Sequence, residues 1–395
     1  MAKNEKFKKP VPIKIEKFNR FAGFAVQNVE KEHYFWAQTR GFITSDNQDF
    51  FTFINIIQSY FAQAQINENY VSNFIILHHS DLSVDVYINN LPIAIEMLSK
   101  RNVEAGEFVA LNDVADLRRL RFPNIQILPT DHIFIGLKVG WRFLFHFDMT
   151  HNDQAKDYKI DTDKLYLELG TNYRQLLFYD VYQVIKSKPY YEQMQKDGWF
   201  SYVELLYDEF NGLAKTYENN FNYEDTVNKL LNSFNKDRIQ RIVARWWNNP
   251  LYKSKQKILE AGINSFLLNT EEGYINCIKN LYTEIEGILR SYKYAEKKDR
   301  SGSTKKLAEN LQESAIKRMG SSDGTLFPTY FTEYLSMYFY PEFKMNDLEF
   351  ELTRHTISHG LASAESYTKL RALQVILVLD QIFFYIPPTK KSTKE

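Results

Sequence analysis

The hydrophobic pattern of this chain changes period once, near Asp161, and that change constrains the fold more than any other feature. Before it, apolar residues fall in short or alternating runs between turn residues, as strands require. Residues 74–77 and 84–88 flank a His-His-Ser-Asp-Leu-Ser stretch, and 132–147 reads as two strands turning near Gly140. Residues 50–64 and 93–101 have helical spacing among these strands, so the region mixes α and β. After Asp161 the strand signal fades into helical stretches separated by Gly, Pro and Asn. The expected class is α+β: a mixed N-terminal region followed by a mainly helical part.

Within the second part, residues 202–213 read as an amphipathic helix, 238–247 as a short helix ending before Pro250, and 251–268 as its successor. Residues 271–294 carry an apolar stripe through Ile275, Ile278, Leu281, Tyr282, Ile285, Ile288 and Leu289, the mark of a helix packed on one face. Residues 346–359 form a further expected helix with Gly360 as its C-cap, and 366–386 a longer one stopped by Pro387-Pro388. The expected organisation is 1–160 as a mixed α+β domain, 161–250 as a helical connection, 251–386 as a helical domain and 387–395 as a polar tail.

Charge and cysteine content exclude whole classes. Lys plus Arg equals Asp plus Glu, 49 each, so no global field draws the chain to nucleic acid or an anionic membrane, and an anionic ligand must meet local charge. The single cysteine, Cys277, lies among isoleucines and forms no internal disulfide, which fits a reducing cytoplasm. Residues 1–20 lack the apolar run of a signal peptide, and 375–386 is shorter than the ~20 residues of a bilayer span. A cytoplasmic protein with no membrane partner is therefore expected.

No P-loop, dinucleotide fingerprint, zincin motif or nucleophile elbow is present. His78 and His79 with Asp81 and Asp85, and His146 with Asp148 and His151, can be drawn as metal sites, but adjacent histidines on a strand face opposite ways. No metal and no cofactor are expected. Trp246-Trp247 beside Arg241 and Arg245 reads as helix packing, and the basic stretch 293–306 as a solvated loop that also attracts phosphate.

The segment that carries chemistry is Arg354-His355-Thr356-Ile357-Ser358-His359-Gly360. A guanidinium offers a planar fork of donors to a phosphate, and an imidazole moves protons near neutral pH. On RNA, that pair lets the 2′-hydroxyl attack the adjacent phosphate. On a straight helix, positions five apart differ by about 140°, so Arg354 and His359 do not share a face, whereas Leu348, Leu352, His355 and His359 do. Two readings follow: a helix seam with a surface arginine, or a site formed where the helix distorts or where two copies of the motif meet.

With its Arg-x4-His spacing, the Gly-Leu-Ala-Ser after His359, the long apolar final helix and the run Ile285-Glu286-Gly287-Ile288-Leu289-Arg290, the C-terminal third resembles the HEPN superfamily. The resemblance implies a four-helix bundle that dimerises to bring two Arg-His motifs over one cleft. It implies a metal-independent endoribonuclease that leaves 2′,3′-cyclic phosphate and 5′-hydroxyl ends, in a toxin, abortive-infection or other anti-phage system with a regulatory or antitoxin partner. Some members instead bind RNA, nucleotide or a protein partner without catalysis. Carried onto this chain, Arg354 holds the scissile phosphate, His359 transfers protons, His355 orients the pair or contacts RNA, and Glu286 supports the site. The chain departs from the family pattern in having His355 where Asn is commoner, and Leu361 where antitoxin-paired members have tyrosine.

Overall fold

The structure, a computed structural model, describes residues 9–18, 24–30, 34–150, 159–319, 322–340, 356–357 and 361–387. The class is α+β. Among the described residues every strand precedes residue 150 and the long helices follow residue 160, so the change of period does mark a change of architecture. The chain divides into two compact units, residues 1–97 with 117–179, and residues 98–116 with 180–395.

The first unit contains β1 (Ile13–Ile15), β2 (Ala25–Val29), β3 (Phe35–Gln38), β4 (Arg40–Thr44), α1 (Phe50–Ile54), α2 (Gln58–Gln63), β5 (Phe74–His78) and β6 (Val84–Ile88). Next, β7 (Ala94–Ser99) and β8 (Val114–Arg121) each have residues in both units, and β9 (His132–Val139), β10 (Arg142–Asp148) and α3 (Thr162–Leu177) complete the first. An antiparallel sheet runs β1-β6-β5-β9-β10-β4, with β2–β3 and β7–β8 as separate two-stranded ribbons. The period of two along β5 sorts its side chains. Phe74 and Ile76 pack with Phe53, Tyr60 and Phe61 from α1 and α2, while Ile75 and Leu77 pack with Leu165, Leu169 and Leu176 of α3. Both faces of the sheet are covered. Gly136 on β9 lies opposite Phe74 on β5, where an added Cβ would sit 2.1 Å from the phenyl ring, so this position has room only for glycine.

The second unit holds α4 (Tyr179–Ser187), α5 (Tyr191–Lys196), α6 (Asp208–Asn219), α7 (Tyr223–Ser233), α8 (Lys236–Trp246), α9 (Pro250–Lys253) and α10 (Gln256–Leu267). These are followed by α11 (Glu271–Lys297), α12 (Thr304–Met319), α13 (Pro328–Tyr334) and α14 (Lys369–Tyr385). Their starts are written in capping residues. The side chains of Asn235, Asn249, Thr270 and Thr368 accept from backbone N–H groups in the first turns of α8, α9, α11 and α14, and Pro250 opens α9. Four helices form a bundle: α11 packs on α10, α12 and α14, and both α10 and α12 also touch α14. Among the described residues no helix is long and apolar enough to cross a membrane.

Three local expectations need correction. Residues 93–101 contain the strand β7, because pairing with β8 outweighs their helical spacing. The amphipathic stretch 202–213 is broken: a 3₁₀ turn, Val203–Leu205, precedes α6, and between them Tyr207 takes φ 91°. The basic stretch 293–306 is not one loop, since α11 runs to Lys297 and α12 begins at Thr304, with Lys293 paired to Asp299 at 2.5 Å.

Candidate functional site

Arg354, His355 and His359 lie outside the described residues. Between them, Thr356 and Ile357 are helical and buried, and the Thr356 carbonyl accepts from the N–H groups of Leu361 and Ala362 at 2.8 and 3.1 Å, as at a closing helix end. Glu286 is described. It sits in the bundle on α11, 6% exposed, and its Oε1 accepts from Arg290 Nε at 2.7 Å and Nη2 at 2.6 Å, one turn further on. Arg290 also donates through Nη1 to the Arg300 carbonyl at 2.6 Å. The acidic position that was expected to support a site therefore carries an ion pair, and α11 bears it next to α14.

Sequence reasoning missed the polar centre of the helical unit. Asp380, on the otherwise apolar α14, is 1% exposed and accepts from Arg245 Nε at 3.0 Å, Arg245 Nη2 at 2.5 Å and Trp246 Nε1 at 2.8 Å. The same guanidinium reaches Glu204 Oε1 at 2.6 Å and the Lys100 carbonyl at 2.7 Å. Burial pushes the Asp380 carboxyl above the ordinary aspartate value against the pull of Arg245. Glu204 goes the other way: burial raises its pKa, but Arg245, Arg241 and Lys100 together bring it below the ordinary value. The break at Tyr207 ends the 3₁₀ turn carrying Glu204 and starts α6 anew with Asp208 and Glu209.

Beside this centre lies an open cleft of about 560 Å³. One wall carries Arg238, whose Nη1 and Nη2 each donate to Glu209 at 2.7 Å and whose guanidinium stacks 3.8 Å over the Phe234 ring. Arg241 reaches Glu204 at 3.1 Å. The Arg238 fork is thus occupied by a protein carboxylate, and Arg241 is tied to one through a single N–H. The lysine that also lines the cleft is different. Lys100 is 4% exposed, its backbone N–H donates to the Asp113 carbonyl at 2.7 Å, and its ammonium has no hydrogen bond or ion pair among the described residues. Burial, with Arg238 and Arg245 nearby and only partly offset by Glu204 and Glu209, brings its pKa from 10.5 to about 8. On the rim, the carboxylates of Asp208 and Asp237 are likewise without a hydrogen-bond or ion-pair partner among the described residues.

His78, His79 and His146 of the first unit have structural surroundings, and His151 lies outside the described residues. His78 meets the Tyr60 hydroxyl at 3.0 Å and is lowered to about 4, chiefly by burial. His79 faces elsewhere, 2.8 Å from Asp131, whose hydrogen bond raises it. His146 is packed at the Phe42 ring and lowered to about 4 by burial. No group of three or more metal-ligating side chains occurs among the described residues. Trp246 is fully buried at the foot of α8, as packing requires. No protein-family model, no curated protein and no solved structure matches the chain.

Proposed function

We propose that the chain is a metal-independent endoribonuclease of the HEPN type, acting on RNA in the cytoplasm as a homodimer through its C-terminal helices. The observation that carries this reading is the Arg354-x4-His359 spacing directly ahead of an apolar helix that is one of four packed together. Glu286 and Arg290 on the adjoining α11 supply a charged pair in the same bundle. In this reading an imidazole at His359 takes the proton of the ribose 2′-hydroxyl, whose oxygen attacks phosphorus. The bond to the 5′-oxygen breaks, that oxygen leaves with a proton from the protonated imidazolium of the other copy's histidine, and a 2′,3′-cyclic phosphate remains. Arg354 neutralises the non-bridging oxygens as charge builds on them, and His355 orients the pair or contacts RNA. The setting is a toxin or anti-phage system in which a regulatory or antitoxin partner holds the nuclease in check.

The test is incubation of the full chain with RNA in excess chelator, followed by analysis of the ends. Cyclic phosphate and 5′-hydroxyl ends are expected, with cutting reduced by at least ~10³-fold in Arg354→Ala and in His359→Ala at unchanged circular dichroism. Cutting that needs a divalent ion, or that survives both substitutions, refutes the proposal. Retained RNA affinity without product would point instead to a non-catalytic binding module, and a change in dimerisation alone to interface residues.

A further inference from the structure

The cleft of the second unit combines features that a merely structural ion network does not need. Ion networks in a protein interior persist when opposite charges satisfy each other, and the Arg245, Glu204 and Asp380 set does so. Lys100 is held beside that set by its backbone at both ends, yet its ammonium is left for the cleft. Its long stem, which normally carries the charge out to water, stays buried instead. The rim has the complementary surplus, since Asp208 begins α6 and Asp237 lies in the first turn of α8, both free of partners among the described residues. Floor and rim thus present one cation and two anions without a hydrogen-bond or ion-pair partner among the described residues, while the Arg238 fork is taken up by Glu209 and Arg241 holds Glu204 through one N–H.

We propose that this cleft binds a free amino acid with a basic side chain, its carboxylate on Lys100 and its cationic groups on Asp208 and Asp237. A simple anion would satisfy only the floor, and would meet the two aspartates as like charges. A simple polycation would satisfy only the rim, and would be repelled by Lys100. A molecule with one acidic and two basic groups answers all three, and the volume of about 560 Å³ falls within the range of small-molecule sites. The inference is independent of the nuclease reading, because no residue of the Arg-His motif enters it.

Isothermal titration of the full chain with L-arginine, L-glutamate, inorganic phosphate and spermidine tests the proposal. L-arginine should bind saturably, and each of the other three at least ~10-fold more weakly. Lys100→Met, which keeps the length of the stem and removes the charge, should weaken L-arginine binding by at least ~10-fold, as should Asp208→Asn with Asp237→Asn. The two aspartates are exposed, so the double variant tests the rim without disturbing the buried floor. The proposal is overturned if L-arginine shows no saturable binding up to roughly 10 mM. It is equally overturned if phosphate binds as tightly as L-arginine, or if the double aspartate variant binds L-arginine as the natural chain does.

Discussion

Lys100 should weaken the fold it belongs to, and the size of that effect follows from its surroundings. Lowering a lysine from 10.5 to about 8 means that folding disfavours its charged form by roughly 3 kcal/mol. The residue is 4% exposed, so solvent screening removes little of this. Below pH 8 the lysine is protonated in both the folded and the unfolded chain, and the whole penalty is present. As the pH rises from about 8 to 10.5 the folded protein sheds the proton first, and the penalty fades. Lys100→Met removes the charge while keeping most of the apolar stem. The variant should therefore be more stable than the natural chain by roughly 1 to 3 kcal/mol at pH 7, and the difference should shrink towards zero at pH 10.5. Other groups titrate over the same range, but they do so in both proteins and cancel in the difference. Urea denaturation of the two proteins at pH 7, 8.5 and 10 measures it. A variant less stable at pH 7, or a difference that does not change with pH, would show that the ammonium near Glu204, Glu209, Arg238 and Arg245 is not desolvated.

Asp380→Asn removes an anion held by Arg245 and Trp246, leaving the buried Arg245 charge with only Glu204, and should cost about 3 to 5 kcal/mol in denaturant unfolding. A loss below about 1 kcal/mol would mean that Glu204 alone balances the arginine. Gly136→Ala should cost roughly 1 to 3 kcal/mol through overlap with the Phe74 ring, and Phe74→Leu in the same chain should recover part of it in a double-mutant cycle. Simple additivity would place the strain elsewhere. Cys277 is fully buried and its thiol is raised by burial, so a disulfide reagent should leave it unmodified in the native protein and label it only on unfolding. Rapid labelling under native conditions would contradict that burial.

What the sequence alone discloses divides by the distance over which the deciding interaction acts. The turn at Gly140 and the strands either side of it were legible because alternation, register and turn all lie within one short stretch. The stripe of α11 was legible for the same reason, its apolar residues recurring at helical spacing. The strand β7 was not, since its conformation depends on β8, a partner elsewhere in the chain. The break at Tyr207 was hidden too, because the amphipathic spacing runs on across it and a tyrosine at positive φ has no sequence signature. The polar centre shows the limit most clearly. Arg245 meets Asp380 across 135 positions, the Lys100 carbonyl across 145 and Glu204 across 41. Lys100 and Arg101 are adjacent basic residues that only the tertiary structure separates: Arg101 pairs with Glu107 and Asp113, whereas the Lys100 ammonium has no hydrogen bond or ion pair among the described residues. A motif confined to six consecutive residues announces itself in one dimension. A cleft assembled from Lys100, the turn at Asn112 and Asp113, the 3₁₀ turn before α6, the start of α6, and α8 leaves no local pattern, so the absence of a motif says nothing against a binding site of that kind.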